Sequence, residues 1–133
     1  MIVVDTNIIA YLLLEGEYTS QAESLPLKDS HLAAPILWRS EFRNVLAHYL
    51  RKEILTLEEA QEIMNEAINL MSGHEYEVAS FQALDLVSSC DCSAYDCEFV
   101  TLAQDLKTIL ITVDKKILTE FPSTALHLVD FIS

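Results

Sequence analysis

The sequence has little positive charge: its 8 Lys and Arg residues stand against 21 Asp and Glu, which leaves a net charge of −13. Proteins that bind nucleic acid broadly usually present a basic face, so this balance argues against wide electrostatic attraction to nucleic acid. Any nucleic acid would have to be held locally. Six basic residues share the two segments that hold Glu41 and Asp114, and could form a basic rim around an acidic centre: Arg39, Arg43, Arg51, Lys52, Lys115 and Lys116.

The sequence also lacks any apolar run near the ~20 residues of a membrane span, and no basic leader precedes the first apolar run. We therefore expect a cytoplasmic protein with no membrane partner. Cysteines are few, and an odd, clustered set of three (Cys90, Cys92, Cys97) makes a poor disulfide framework, which suits a reducing compartment. Without a CxxC pair, buried or half-buried thiols are favoured over a zinc site.

Linkers, internal repeats and low-complexity stretches are absent as well. With 133 residues, 51% of them hydrophobic, the chain can build one core, and we expect a single domain over 1–133. Short apolar runs alternate with amphipathic stretches. This strand–helix order predicts a three-layer α/β/α sandwich around a mainly parallel sheet.

The predicted strands cover 2–5, 31–34, 76–78, 109–113 and 126–130. The predicted helices cover 6–14, 36–52, 56–71, 80–89, 94–106 and 115–120, with a weak one at 18–27 that Pro26 interrupts. The clearest helix carries Trp38 and Phe42 on an apolar stripe. Thr56 and Glu59 form a capping box, and Gly73 is expected just after the end of that helix.

Four carboxylates form the main candidate site: Asp5, Glu41, Asp96 and Asp114, called the acid quartet below. Asp5 ends the first predicted strand and Asp114 follows the fourth, while Glu41 and Asp96 lie near the starts of predicted helices. In open parallel sheets, the carboxyl ends of the strands and the starts of the following helices meet at one rim. The four acids can therefore converge.

Each acid also has a purely structural interpretation. Asp5, Asp96 and Asp114 can cap helices, and Glu41 can be a first-turn acid on the flank of the apolar stripe. An Asp after a strand can also be a phosphoacceptor. That pattern needs a second Asp two residues later, where this chain has Asn7.

Converging carboxylates repel one another by roughly 1 kcal/mol per pair at ~4 Å in water, and by several times more when partly buried. Protonation or a hard divalent cation offsets this repulsion, and oxygen ligands suit Mg²⁺ or Mn²⁺ better than zinc. Our hypothesis from the residues is a Mg²⁺ (or Mn²⁺) site. No cluster of His, Cys or Ser with a base competes as a nucleophile.

Four segments, in order along nearly the whole chain, resemble the successive motifs of PIN domains: Val3–Asn7, Ser40–Leu46, Tyr95–Ala103 and Ile111–Asp114. The resemblance is closest to the VapC-like toxin nucleases of prokaryotic toxin–antitoxin pairs. It implies an α/β/α sandwich and a metal-dependent ribonuclease, commonly a homodimer. It also implies a partner antitoxin whose C-terminal segment covers the acidic site, often with a basic side chain.

Position by position, the resemblance assigns the catalytic and metal-binding roles to the acid quartet, with Asp5 and Asp96 as the first candidates for direct ligands. Glu98 is an additional candidate acid. Three polar residues match positions that orient the acids or the attacking water: Thr6, Asn7 and Thr112.

Two classes of function follow. The first is a Mg²⁺- or Mn²⁺-dependent endoribonuclease that hydrolyses RNA phosphodiester bonds as the toxin of a type II toxin–antitoxin pair. The second is a catalytically silent PIN-fold protein that binds a basic partner through its acidic face. The intact quartet favours the enzyme, while the net charge leaves room for the binding protein.

Overall fold

The central sheet of the computed structural model, which describes residues 1–133, has five strands. They are β1 (Ile2–Val4), β2 (Leu32–Pro35), β3 (Glu75–Tyr76), β4 (Leu110–Thr112) and β5 (Ala125–His127). Their order is β3-β2-β1-β4-β5, and every neighbouring pair is parallel. The first strand lies in the middle of the sheet: β2 and β3 extend the sheet on one side of it, and β4 and β5 extend it on the other. Ligands of such sheets bind at the carboxyl ends of the strands where the strand order reverses, which here is between β1 and β4.

Nine helices connect and cover the strands. They are α1 (Thr6–Leu13), α2 (Thr19–Glu23), α3 (Leu25–Lys28), α4 (Trp38–Arg51), α5 (Leu57–Met71), α6 (Ser80–Ser88), α7 (Ala94–Asp105), α8 (Lys115–Glu120) and α9 (Leu128–Ile132). Helices α1, α4 and α5 pack together, while α6 packs on α7, which lies against β1, β2 and β4. The predicted α/β/α sandwich is confirmed. None of the helices has both the length and the apolar character needed to span a membrane.

The core lies between the sheet and these helices. All residues of β1 and β4 are buried, as two-sided cover of a parallel sheet requires. The stripe on α4 packs as predicted, with Trp38, Phe42 and Leu46 buried. Full burial of each such side chain stabilises the fold by about 1.5–3 kcal/mol. Trp38 is fully buried and therefore belongs to the core, and its Nε1–H donates to Glu75 Oε2 at 2.8 Å.

The capping predictions are confirmed. The Glu59 backbone N–H donates to Thr56 Oγ1 at 3.1 Å, and the Thr56 N–H donates to Glu59 Oε1 at 2.9 Å. Gly73 follows the end of α5 with φ +80°, a conformation that side chains with a Cβ rarely adopt.

Two element predictions were wrong in part. The strand expected at 126–130 ends at His127, because His127 Nδ1 accepts from the Val129 N–H at 3.1 Å and caps α9. The weak helix at 18–27 is instead two short helices. Pro26 lacks an N–H, and it lies in the first turn of α3, where none is needed.

Candidate active site

The acid quartet lines one cavity of about 470 Å³ at the carboxyl edge of the sheet. Thr6 and Asn7 line the same cavity, and Thr112 lies buried beneath it, bonded to Asp5. The predicted convergence of the four acids is therefore present in the structure. Their catalytic and metal-binding roles stay predictions.

Each of the four acids lies at a helix N-terminus. Asp5 is the N-cap of α1, and Asp114 is the N-cap of α8, where its Oδ1 accepts from two backbone N–H groups. Glu41 and Asp96 lie in the first turns of α4 and α7. The positive end of a helix dipole favours a carboxylate, so the local fold offsets part of the mutual repulsion. The capping interpretation and the convergence both hold.

Two hydrogen bonds hold the carboxylate of Asp5. Its Oδ1 accepts from the Thr6 backbone N–H at 2.8 Å, and its Oδ2 accepts from the Thr112 Oγ1–H at 2.7 Å. The Thr112 hydroxyl also accepts from the Asp114 N–H at 3.0 Å. One buried hydroxyl therefore fixes the positions of two acids relative to each other.

A second hydroxyl links the α1 and α4 sides of the cavity. The Thr6 Oγ1–H donates to Glu41 Oε1 at 2.7 Å, across 35 positions of sequence. Asn7 follows on α1, and its Oδ1 is buried with no hydrogen-bond partner. Buried polar atoms normally have a partner, so this oxygen is available to accept a hydrogen bond or to bind a cation.

Burial, with a smaller contribution from neighbouring charges, raises the pKa of three of the four acids. Burial, with smaller contributions from Glu41 and Asp96, raises the pKa of Asp5 from 3.8 to about 7, against the lowering effect of its two hydrogen bonds. Burial also raises the pKa of Glu41, and then the charge of Asp96 does so. The pKa of Asp96 is raised by burial and by Asp114, and lowered by Ser93 and Lys116. Full ionisation of the quartet is therefore costly without a counter-charge.

Protein cations supply little of that counter-charge. The two ion pairs of the structure join the Met1 amino group to Asp29 and Arg39 to Glu75, and neither includes a member of the quartet. Arg39 donates to both Glu75 oxygens, at 2.6 and 2.7 Å, so it does not contribute to a basic rim. Among the cationic side chains, Lys116 lowers the pKa of Asp96, and its effect there is the smallest of the causes.

The donor set fits a hard divalent cation by chemical type, because four carboxylates and the unpartnered Asn7 Oδ1 all present oxygen. No group of three or more His, Cys, Asp or Glu is already arranged as a metal-binding cluster. Carboxylates that repel one another separate when no cation neutralises them. Binding would thus require the acids to draw closer than they stand here.

Five cavity-lining residues were missed as site residues by the sequence analysis, and three of them carry a polar group: Tyr11, Asn44 and Tyr49. Asn44 lies three positions after Glu41 on α4, and Tyr11 lies four after Asn7 on α1, so helical spacing from the quartet could have found them. Glu98, expected as an additional acid, lines a neighbouring depression of about 320 Å³ and not the quartet cavity. Burial and then the charge of Glu41 raise its pKa.

Sequence and structure comparisons all match this chain to proteins of related type. The model of the PIN domain family matches residues 2–122. The chain is 27% identical over 125 residues to Ribonuclease VapC3 of Pyrobaculum aerophilum, covering 92% of this chain and 95% of that protein. Among solved structures, PAE2754 from Pyrobaculum aerophilum superposes with a TM-score of 0.78 at 16% identity, covering 98% of this chain and 85% of the other. A toxin–antitoxin complex from Klebsiella pneumoniae superposes with a TM-score of 0.67 at 14% identity, and the match covers 96% of this chain and 98% of the other.

Proposed function

The chain belongs to the PIN domain family, and from this premise we propose that it is a divalent-metal-dependent endoribonuclease, the toxin of a type II toxin–antitoxin pair. One observation carries the proposal: four acids from distant parts of the sequence line one cavity in which burial and their mutual charge raise the pKa of Asp5 to about 7. The similarity to a protein named as a VapC ribonuclease supports RNA as the substrate.

In this proposal Asp5 and Asp96, with Glu41 and Asp114 beside them, hold Mg²⁺ or Mn²⁺. Such an ion, when bound, lowers the pKa of water and neutralises a scissile phosphate. The residues of the chain set the geometry. Through its hydrogen bond to Asp5, Thr112 orients that carboxylate, and Thr6 orients Glu41 in the same way. The phosphodiester would enter the cavity between α1 and α4.

The test is cleavage of varied RNAs by the purified protein with Mg²⁺, Mn²⁺ or EDTA. We expect cleavage only with the ion, and none from Asp96→Asn. The matched control is Asp85→Asn, which makes the same chemical change on the exposed part of α6 and should cleave as wild type does. Cleavage that survives EDTA, or full activity in Asp96→Asn, would contradict the metal mechanism. Binding of a basic partner without any cleavage would favour the silent interaction protein.

A basic antitoxin is the second part of the proposal. The cavity carries four acids and no ion pair, so an Arg or Lys from a partner would gain strong charge-assisted hydrogen bonds there. Such binding should inhibit cleavage, compete with Mg²⁺, and weaken with added salt. Pull-down from the native host followed by a Mg²⁺ titration measures this. A partner that leaves cleavage unchanged would exclude occlusion of the cavity.

A homodimer is the third part. Large apolar side chains are exposed on α6 and at the start of α7: Phe81 at 86%, Leu84 at 60% and Tyr95 at 61%. Apolar patches of this kind support a protein contact. We expect a dimer mass in light scattering, and a monomer for Phe81→Ser. The control Leu27→Ser removes an equally exposed apolar side chain, 91% accessible, away from α6 and should stay dimeric.

A further inference from the structure

Two of the three thiols lie in contact beside the acid quartet. The Sγ atoms of Cys90 and Cys97 are 3.6 Å apart, and all three cysteines are free thiols. Cys90 belongs to the short segment between α6 and α7, whereas Cys97 lies in α7 directly after Asp96. Nothing in the proposed chemistry of the cavity uses these sulfurs.

The two thiols differ in access to solvent. Cys90 is half-buried and lines an open surface depression of about 350 Å³ with Ser88, Ser89 and Asp91. Cys97 is fully buried, and the third thiol, Cys92, is 5% exposed. A small oxidant can therefore reach the Cys90 sulfur first, and the buried Cys97 sulfur lies in contact with it.

We propose that Cys90 and Cys97 form a peroxide-sensitive dithiol that closes reversibly to a disulfide. The Cys90 sulfur attacks hydrogen peroxide, its thiol hydrogen leaves with the released oxygen as water, and Cys90 becomes a sulfenic acid. The Cys97 sulfur then attacks the Cys90 sulfur, and the hydroxyl group leaves with the Cys97 proton as a second water. Overall, two thiols are oxidised by two electrons and one peroxide is reduced to two waters.

Closure also acts on the acid quartet, and this part rests on the proposed ribonuclease function. A disulfide has an S–S length of about 2.05 Å, so the two sulfurs must approach by about 1.5 Å from their present 3.6 Å. Cys97 is bonded to Asp96, and any share of that movement taken by the start of α7 displaces the carboxylate. A misplacement of ~1 Å in a catalytic group can cost about 10²-fold in rate. Oxidation should therefore lower cleavage by about tenfold or more.

Peptide mapping tests the dithiol without any activity measurement. Cleavage before Asp91 and Asp96 puts the three cysteines on three different peptides, so a cross-link identifies its own partners. After treatment with peroxide, we expect the intact mass to fall by two hydrogens, the free thiols of the unfolded chain to fall from three to one, and a link between Cys90 and Cys97. A phosphine reductant should restore all three thiols and the lost cleavage.

Two variants complete the test. Cys92→Ala should form the same link as wild type, and Cys90→Ser should keep wild-type cleavage and lose the response to peroxide. Three remaining thiols, a link through Cys92, or only intermolecular links would overturn the dithiol. A mapped link with unchanged cleavage would overturn its control of the quartet. Reduced protein that cleaves no RNA would contradict the proposed function instead, and the mapping would still decide the dithiol.

Discussion

Replacement of Asp5 by Asn removes the most strongly perturbed carboxylate from the acid quartet and tests the cost of holding a buried charge there, to which burial contributes most and the charges of Glu41 and Asp96 less. Asn caps helices about as well as Asp, so α1 keeps its N-cap. The amide has nearly the same shape as the carboxylate, so the core around β1 stays packed. Charge in a buried position is the main property that changes.

The magnitude follows from the pKa shift of Asp5. A rise from 3.8 to about 7 is about 3 units, and at 1.36 kcal/mol per unit it lowers the stability of the ion-free protein by about 4 kcal/mol once Asp5 is ionised. Asn has one acceptor oxygen, so it satisfies only one of the donors at Thr6 and Thr112, and the lost bond costs ~1–2 kcal/mol. The net gain in the free energy of unfolding at high pH is about 2–3 kcal/mol.

The sign of the pH dependence is determined by the direction of that shift. A group whose folded pKa is raised contributes stability that is complete below its unfolded pKa, near 4, and is lost as pH rises through about 7. Wild type should therefore lose stability relative to Asp5→Asn between pH 4 and 8. At pH 4 only the cost of the lost hydrogen bond remains, so the variant should be ~1–2 kcal/mol less stable than wild type there, and its advantage should be complete near pH 8.

Denaturant unfolding in EDTA at pH 4.5, 6 and 8 measures this difference. Asp85 is exposed on α6, so the control Asp85→Asn should have the same free energy of unfolding as wild type at all three pH values. At pH 8 the advantage of Asp5→Asn corresponds to roughly 5–10 °C in Tm for a chain of this length. Equal or lower stability of Asp5→Asn at pH 8 would refute the argument that the buried charge of Asp5 destabilises the ion-free protein.

Three further outcomes follow. Because a cation competes with the proton on Asp5, the Mn²⁺ affinity measured by calorimetry should rise with pH up to about 7 and then level off; an affinity independent of pH between 5 and 7 would contradict this. Thr112→Val removes the hydroxyl that donates to Asp5, so it should raise the pKa of Asp5 further and lower kcat at pH 7. NMR titration of the Asp5 carboxyl carbon measures this pKa, and an unchanged pKa in the variant would show that the hydrogen bond is unimportant. Thr56→Ala removes the cap of α5 and should cost ~1 kcal/mol in unfolding experiments with unchanged RNA cleavage, since the capping box belongs to α5 and lies outside the cavity lining.

Patterns within a few residues account for most of what could be predicted here. The capping box at Thr56, the apolar stripe of α4 and the buried runs of β1 and β4 depend on local spacing, and the structure contains them all. The partly wrong prediction at 126–130 has a local cause as well: the His127 imidazole caps a helix where the apolar run alone favours a strand.

The sequence by itself determined which acids follow strands or begin helices, and so which could meet at one rim. Only the tertiary structure decided how they are held. The bond from Thr112 to Asp5 spans 107 positions and exists because β4 pairs with β1 in the register Val4 to Ile111. The Thr6–Glu41 bond, the contact of the Cys90 and Cys97 sulfurs and the placement of Tyr49 in the cavity depend likewise on how separate elements pack. Local spacing sets the direction of a side chain along its own helix or strand, whereas its partners across the sheet are set by strand order and register, which no short stretch of sequence contains.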